Sequence, residues 1–153
     1  DHLKYSSCLW DEATEVNSLM GLSKAELNML SLYCERAEIK DGMDILELGC
    51  GWGSLTLFLA AKYPSVNITA VSNSSSQRDF ILKLAAERSL SNVKVITADI
   101  NDFNVDSEFD RVISIEMFEH MRNYEKLMNK IAWVENKMKK AIGVSTNFLV
   151  TMK

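Results

Sequence analysis

A glycine-rich segment that follows a short apolar run is the feature that most constrains the fold of this chain. Residues 44–53 read DILELGCGWG, with Glu47 near the end of the apolar run and glycines at 49, 51 and 53. Glycine has no side chain and can adopt positive φ, so such a turn lets backbone N–H groups approach a ligand closely. The segment predicts a buried strand over 44–48, a tight turn and a nucleotide-type ligand at the start of the next helix.

The spacing of the glycines separates two classes of cofactor. A dinucleotide site has the pattern G-x-G-x-x-G/A and a carboxylate about 20 positions later, where it holds a ribose. In this chain Ser54 occupies the sixth position of the motif, and the next predicted strand is followed by a serine and an asparagine instead of a carboxylate. The pattern therefore favours S-adenosyl-L-methionine, and NAD is the alternative.

Length and composition limit the class of protein. The chain has 153 residues, of which 47% are hydrophobic and 25% are charged, and its formal net charge is −4. This is enough for one domain with a sizeable core, and it gives no electrostatic footprint for nucleic acid or an anionic membrane. Three cysteines without metal-ligand spacing favour a reducing compartment. We predict a cytoplasmic protein with no metal site, no nucleic-acid partner and no stable membrane association; a homo-oligomer is compatible with the sequence.

Alternating apolar runs and helical periods predict an α/β fold with a mostly parallel sheet. Predicted strands cover 44–48, 67–71, 92–97 and 109–115, and predicted helices cover 54–63, 74–89 and 123–140. Another helix is predicted to begin at Ser23, where Ser23 and Glu26 match a capping box, and to end near Ile39. The apolar stretch Val144–Met152 is a candidate fifth strand. We divide the chain into an N-terminal lid segment, 1–22, and a cofactor-binding domain, 23–153.

Polar residues follow the predicted strands at the edge of the sheet where ligands bind in this class of fold. Glu47 could face the ammonium or sulfonium end of the cofactor, or it could be a solvated loop acid. Residues after the second strand could hold ribose hydroxyls, although a capping box of Ser74 and Gln77 would use the same side chains. Asp99 and Ile100 could flank an adenine, or Asp99 could be an ordinary loop aspartate. The other candidate cofactor contacts are Gly49, Cys50, Gly51, Gly53, Ser72 and Asn73.

Two carboxylates and an imidazole follow the predicted fourth strand. Glu116, Glu119 and His120 lie in the segment IEMFEH. Such groups can bind an amine or accept its proton. The alternative is a capped helix start with solvated charges. We predict that these three residues are catalytic and that the substrate is a small amine.

These motifs together resemble the cyclopropane-fatty-acid-synthase-like methyltransferases. The resemblance rests on Tyr5-Ser6, on the glycine turn, on Ser74-x-x-Gln77 and on residues 117–120, and it covers about residues 3–133. Within this family, the sequence resembles most the plant branch typified by coclaurine N-methyltransferase. The resemblance implies a Rossmann-like class I S-adenosylmethionine-dependent methyltransferase fold, with Tyr5 and Ser6 over the cofactor. It also implies that Glu119 matches a glutamate that helps to hold a bicarbonate base in the cyclopropane synthases.

Two departures from the family pattern bear on the reaction. A cysteine usually follows the Tyr-Ser pair in the cyclopropane synthases, whereas this chain has Ser7 and then Cys8. This favours N-methylation of an amine over methylene transfer to a lipid alkene. Residues 134–153 do not resemble the family, and only four or five of its seven strands are predicted. We therefore expect a chain that retains most cofactor contacts and is catalytically incomplete; a non-catalytic binding module is the third alternative.

Overall fold

A computed structural model describes residues 8–11, 19–117, 123–138 and 148–151 of the chain. The elements in chain order are α1 (Leu19–Arg36), β1 (Asp44–Leu48), α2 (Ser54–Lys62), β2 (Asn67–Ser72), α3 (Ser75–Glu87), β3 (Val93–Thr97), β4 (Arg111–Ile115), α4 (Tyr124–Lys137) and β5 (Phe148–Thr151). The strands form a parallel sheet in the order β3-β2-β1-β4-β5. The predicted α/β fold with a parallel sheet is confirmed.

The order of the strands reverses between β1 and β4. β1 pairs with β2 on one side, where Leu48 lies opposite Val71, and with β4 on the other, where Glu47 lies opposite Ile113. In open α/β sheets, ligands bind beyond the carboxyl ends of the strands at such a switch point. The glycine turn after β1 and the residues after β4 therefore share the place where this fold binds ligands.

Apolar side chains cover both faces of the central strands, as expected for a buried parallel sheet. One core cluster joins β1 and β2 to α1, α2 and α3 through residues such as Leu30, Leu59 and Ile81. A second cluster on the opposite face includes Leu46 of β1 and Val134 of α4. Three helices thus pack on one face and α4 on the other, so the glycine turn is supported by the layer that contains α2 and α3.

The start and the end of α1 differ from the sequence prediction. The helix begins at Leu19, one turn before Ser23, so the predicted capping box at Ser23 and Glu26 is wrong. Glu26 is buried on the face of α1 that packs against the rest of the protein. It lies inside the helix and not at an exposed helix start. The helix ends at Arg36 because Glu38 adopts a left-handed φ of 49° and the Ile39 N–H donates to the Cys34 carbonyl.

Other boundaries agree with the prediction to within a few residues. Phe109 forms an isolated bridge with Met138, and β4 begins at Arg111. β5 pairs in parallel with β4 inside the predicted fifth strand, so that prediction is confirmed over Phe148–Thr151. None of the helices in the described part of the chain is long and apolar enough to cross a bilayer.

Candidate functional site

The turn after β1 depends on glycine at two of its positions for different reasons. Gly49 has a φ of 82°, and a Cβ built on it would lie 2.5 Å from the Cγ of Met117, which follows β4. Gly53 has a φ of 84°, and its Cβ would lie 2.6 Å from the Cγ1 of Ile81 in α3. Gly49 therefore sets the close approach of the β1 and β4 turns, and Gly53 sets the packing of the turn on α3.

Hydrogen bonds from the backbone fix the beginning of the turn. The N–H groups of Gly49 and Cys50 both donate to the Val71 carbonyl at 3.0 Å, and the Gly53 N–H donates to the Cys50 carbonyl at 2.9 Å. The indole of Trp52 meets the ring of Phe80 edge to face, with the ring centroids 5.2 Å apart. The turn is thus tied to β2 by its backbone and to α3 by its side chains.

Glu47 lies beneath the turn. The residue is 4% exposed, and its Oε2 accepts a hydrogen bond from the hydroxyl of Thr56, which is fully buried in α2. A buried carboxylate is expensive unless its oxygens accept hydrogen bonds. The alternative that Glu47 is a solvated loop acid is therefore wrong, and the carboxylate places a negative group just below the glycine turn.

The thiol of Cys50 is buried in the same layer. Burial raises the pKa of Cys50 far above its ordinary value, and the nearby charge of Glu47 raises the pKa further. The thiol stays protonated at neutral pH, so it is not a thiolate nucleophile. The side chain of Cys50 therefore belongs to the core, and its backbone N–H and carbonyl are bonded to Val71 and Gly53.

The polar residues after β2 form a small hydrogen-bonded cluster. The Ser72 hydroxyl donates to the Gln77 side-chain oxygen at 2.6 Å and accepts from the Ser74 N–H at 3.1 Å. The Ser74 hydroxyl caps α3 by accepting from the Gln77 N–H at 3.4 Å, which confirms that part of the predicted capping box. Asn73 is exposed between them. Ser74 is thus used as a cap, and the Gln77 side chain reaches the strand end.

Asp99 and Ile100 follow β3 in a short loop. The Asp99 carboxylate accepts from both the backbone and the side-chain nitrogen of Asn101, at 2.8 Å each, and these bonds lower its pKa. The aspartate is exposed and ionised at neutral pH, while Ile100 packs against the core cluster that contains α4. The loop therefore presents a carboxylate next to an apolar side chain.

The turn after β4 contains a glutamate in an unusual backbone conformation. Glu116 has a φ of 51°, a left-handed value that is uncommon for a residue with a side chain. It places Met117 against Gly49. Tyr5, Ser6, Glu119 and His120 lie outside the described residues. Asn123 then caps α4 by accepting from the Lys126 N–H at 3.0 Å.

The sequence reasoning missed three side chains that shape this site. Thr56 is a hydroxyl residue in the apolar helix α2, nine residues after Glu47. A polar residue inside an apolar helix was the available signal for a buried hydrogen bond. Met117 lies against Gly49 and packs on the core cluster that contains α4. Lys130 is buried at the foot of the Asp99 loop, and its place within the apolar stripe of α4 was a second signal. Among the described residues, no group of three His, Cys, Asp or Glu side chains is placed to hold a metal ion.

The strand order and the glycine turn at the switch point define a Rossmann-like class I S-adenosylmethionine-dependent methyltransferase fold. Residues 1–152 match the family model described as mycolic acid cyclopropane synthetase, and the chain belongs to this family. The match confirms the family that the motifs resemble. It extends over residues 134–152 as well, so the expectation that the end of the chain does not resemble the family is wrong there.

Plant N-methyltransferases are among the most similar relatives. The chain is 48% identical over 130 residues to (S)-coclaurine N-methyltransferase of Thalictrum flavum subsp. glaucum, covering 85% of this chain and 35% of the relative. It is 45% identical over 114 residues to pavine N-methyltransferase of the same plant, covering 74% and 32%. The chain thus spans about a third of the length of these relatives.

A solved structure of the same branch has the same fold. The crystal structure of coclaurine N-methyltransferase bound to N-methylheliamine and SAH matches with a TM-score of 0.81 and 44% identity. The match covers 91% of this chain and 39% of that chain. It confirms the predicted plant N-methyltransferase branch.

Proposed function

We propose that this chain binds S-adenosyl-L-methionine at the switch point and belongs to an enzyme that methylates the nitrogen of a small amine. The 48% identity with (S)-coclaurine N-methyltransferase over most of the chain carries this proposal. The crystal structure of the similar N-methyltransferase with SAH and N-methylheliamine supports both the cofactor and the class of acceptor. The acceptor would be a nitrogen in a benzylisoquinoline-like ring system.

The cofactor would lie across the carboxyl ends of three neighbouring strands. Backbone groups of Gly49, Cys50, Gly51 and Gly53 would approach the methionine part, where Glu47 supplies negative charge below the turn. The cluster after β2 would hold the ribose, because amides and hydroxyls can both donate to and accept from its hydroxyl groups. The residues of this cluster are Ser72, Asn73, Ser74 and Gln77.

The two ends of the ligand would meet different surfaces. The ionised carboxylate of Asp99 would accept from the adenine amino group, and the side chain of Ile100 would pack on the ring. Tyr5 and Ser6 would reach over the cofactor from residues 1–22, which we propose as a lid segment. The lid would exclude water from the reacting atoms, while residues 23–153 would form the cofactor-binding domain.

The proposed reaction is a direct displacement. S-Adenosylmethionine supplies a methyl group on a positively charged sulfur. The lone pair of the amine nitrogen forms the new N–C bond while the C–S pair returns to sulfur, leaving a neutral thioether and a methylated ammonium that loses a proton. Glu119 and His120 would orient the amine and accept the proton, and Glu116, which follows β4, would assist them. Alignment of the nitrogen with the methyl group would supply much of the rate.

Methylene transfer to a lipid alkene is the second candidate function, because the family match itself is described by cyclopropane synthesis. The third is cofactor binding without catalysis. A cytoplasmic location stays a prediction from the cysteine content.

A methyl-transfer assay with two acceptors separates these candidates. The purified chain is incubated with methyl-labelled S-adenosylmethionine and either (S)-coclaurine or vesicles of an unsaturated phospholipid. The proposal predicts label on the amine only, at a rate far below that of the longer relatives, because we expect this chain, which spans about a third of their length, to be catalytically incomplete. Label on the lipid would favour methylene transfer, and no label on either acceptor despite cofactor binding would favour the non-catalytic module.

Two glutamate variants serve as a matched pair in this assay. Glu119→Gln should lower transfer to the amine by about 100-fold, the lower end of the usual contribution of an acid–base group. Glu125→Gln removes the same charge from an exposed position in the first turn of α4 and should leave the rate unchanged. Equal rates for the two variants would remove Glu119 from the proposed mechanism.

A further inference from the structure

A buried ammonium group lies between α4 and the loop after β3. Lys130 is 7% exposed, and its Nζ donates to the Phe103 carbonyl at 2.7 Å. The same nitrogen lies 4.5 Å from the centroid of the Trp133 ring. Burial lowers the pKa of Lys130, while the charges of Asp102 and Asp99 act in the opposite direction. The ammonium therefore has a specific acceptor in the loop.

The loop itself is one hydrogen-bonded turn that begins at Asp99. The N–H groups of Asp102 and Phe103 both donate to the Asp99 carbonyl, at 3.1 and 2.8 Å. Asn101 closes the turn on the Asp99 carboxylate. Because these bonds join the two ends of the turn, a constraint on Phe103 is passed to Asp99 and to Ile100 between them.

α4 holds the far end of this turn at three points. Besides the bond from Lys130, the Trp133 indole N–H donates to the side-chain oxygen of Asn104 at 2.8 Å. The rings of Phe103 and Trp133 also meet edge to face, with centroids 5.7 Å apart. Of the three contacts, the bond from Lys130 is the one that fixes a backbone carbonyl of the loop.

Stability alone does not explain a lysine at this position. Replacing a buried charged group by an apolar side chain of similar size is often neutral or stabilising. An apolar side chain would also continue the apolar stripe of Leu127, Ile131 and Val134 on α4. What such a side chain lacks is a donor for the Phe103 carbonyl, so the lysine is explained by what it positions.

We propose that Lys130 is a positioning residue for the adenine end of the cofactor, acting on Asp99 and Ile100 by fixing the Phe103 carbonyl. This inference rests on the proposed function, because it takes the Asp99 loop as the adenine contact. Lys130 does not need to touch the ligand. Its effect is to keep the carboxylate and the apolar side chain of the loop in one arrangement before binding, which removes an ordering cost from association.

The chain offers a matched control for charge. Lys126 lies one turn earlier on α4, is exposed, and also lowers the pKa of Asp99 through its charge. Lys126→Met removes a positive charge near Asp99 and leaves the bond to Phe103 in place. Lys130→Met removes both the charge and the bond, so the difference between the two variants reports the bond.

A comparison of two substitutions at position 130 separates the hydrogen-bond donor from the shape of the side chain. Lys130→Met keeps the length of an unbranched side chain and loses the donor, whereas Lys130→Arg keeps a donor and fits the space less well. A positioning role predicts that arginine restores function better than methionine. A packing role predicts that methionine is at least as good as arginine.

The test combines hydrogen exchange in the free chain with calorimetric titration of S-adenosylhomocysteine. In Lys130→Met, we expect hydrogen exchange at the Asp102 and Phe103 amides to be about tenfold faster. We expect the Kd to be about tenfold higher, a factor that corresponds to ~1.4 kcal/mol. Lys126→Met should change both quantities less than twofold, and Lys130→Arg should bind more tightly than Lys130→Met.

Wild-type protection and affinity in Lys130→Met, or a methionine variant that binds as well as the arginine variant, would overturn the inference. If the wild-type chain does not bind S-adenosylhomocysteine, the proposed function fails and the assignment to adenine fails with it. The exchange measurement still decides in that case whether Lys130 holds the loop. Unchanged amide exchange together with normal binding by the wild type would overturn the inference alone.

Discussion

Two turns meet at the switch point of the sheet, and they reach similar backbone conformations with different residues. The turn after β1 uses glycines, with φ values of 82° at Gly49 and 84° at Gly53. The turn after β4 uses Glu116, whose φ is 51°. A left-handed conformation costs glycine almost nothing and costs other residues about 1–2 kcal/mol. The first turn is therefore relaxed in its backbone, and the second carries strain.

The residues around the two turns differ as well. The β1 turn is supported by buried groups: Glu47 with Thr56 below it, the Cys50 thiol, and Ile81 against Gly53. The β4 turn leads into the segment in which we propose catalytic residues. Strained backbone is often found at functional sites, where the surrounding structure maintains it. We infer that the β1 turn is a rigid platform for a ligand and that the β4 turn gives up stability to orient side chains.

The largest effect is expected at Gly53. Gly53→Ala must accept a left-handed alanine and a Cβ within 2.6 Å of the Ile81 Cγ1, in the fully buried core. Strain and overpacking together should lower the free energy of unfolding by about 2–5 kcal/mol. Gly42→Ala is the control, since Gly42 has a φ of 82° with nothing within 4 Å of the added Cβ. Urea unfolding of both variants isolates the clash; equal losses would mean that the β1 turn is not packed against α3.

The second effect concerns the support below the β1 turn. Thr56→Val removes the hydroxyl that donates to the buried carboxylate of Glu47 and should destabilise the chain by about 1–3 kcal/mol. Thr56→Ser keeps the hydroxyl and should lose less. Chemical denaturation measures both variants. A valine variant as stable as the wild type would show that the carboxylate does not need this donor.

The third effect depends on pH and uses the buried thiol of the β1 turn. Burial raises the pKa of Cys50, so above about pH 9 the unfolded chain loses the thiol proton while the folded chain keeps it. The stabilisation is complete below that pH, and the free energy of unfolding falls by up to about 1.4 kcal/mol per pH unit above it. Burial also raises the pKa of Cys34. The difference in unfolding free energy between wild type and Cys50→Ala, measured at pH 8 and pH 10, should therefore shrink at the higher pH; a constant difference would place the thiol in contact with solvent.

The smallest effect is expected in the β4 turn. Glu116→Gly and Glu116→Ala lose the same side-chain interactions, but only glycine relieves the left-handed strain at φ 51°. After allowing for the greater freedom of glycine in the unfolded chain, we expect Glu116→Gly to be more stable than Glu116→Ala by about 0.5–1 kcal/mol. Thermal unfolding of the pair is the measurement. An alanine variant that is at least as stable would show that the β4 turn carries no strain.

The sequence predicted the parts of the fold whose causes are local. An apolar run and three glycines mark β1 and its turn, and a serine cap marks the start of α3; each signal lies within or next to its own element. The start of α1 was missed because Ser23 and Glu26 match a capping box, whereas the helix already begins at Leu19, directly after another serine in the sequence. The family resemblance supplied the class of fold and the plant branch, which the relatives confirm.

The features of the site that were missed depend on tertiary contacts. The bond from Thr56 to Glu47 joins a strand to the following helix, and the bond from Lys130 to Phe103 spans 27 positions. The left-handed conformation of Glu116 could not be predicted, because the position is not a glycine and its conformation is set by the surrounding fold. Spacing can thus identify a glycine turn, whereas the buried side chains that support it become visible only when the elements are packed together.

The role of the β1 turn is tested by calorimetric titration with S-adenosylmethionine. The wild-type chain and Gly49→Ala are both titrated, and NADH is the control ligand. We expect saturable binding of S-adenosylmethionine by the wild type and no binding of NADH. We also expect at least tenfold weaker binding by Gly49→Ala, because the added Cβ would lie 2.5 Å from the Met117 Cγ on a backbone with φ 82°. Binding of NADH, wild-type affinity in the folded variant, or no binding of S-adenosylmethionine by the folded wild type would contradict this role of the β1 turn.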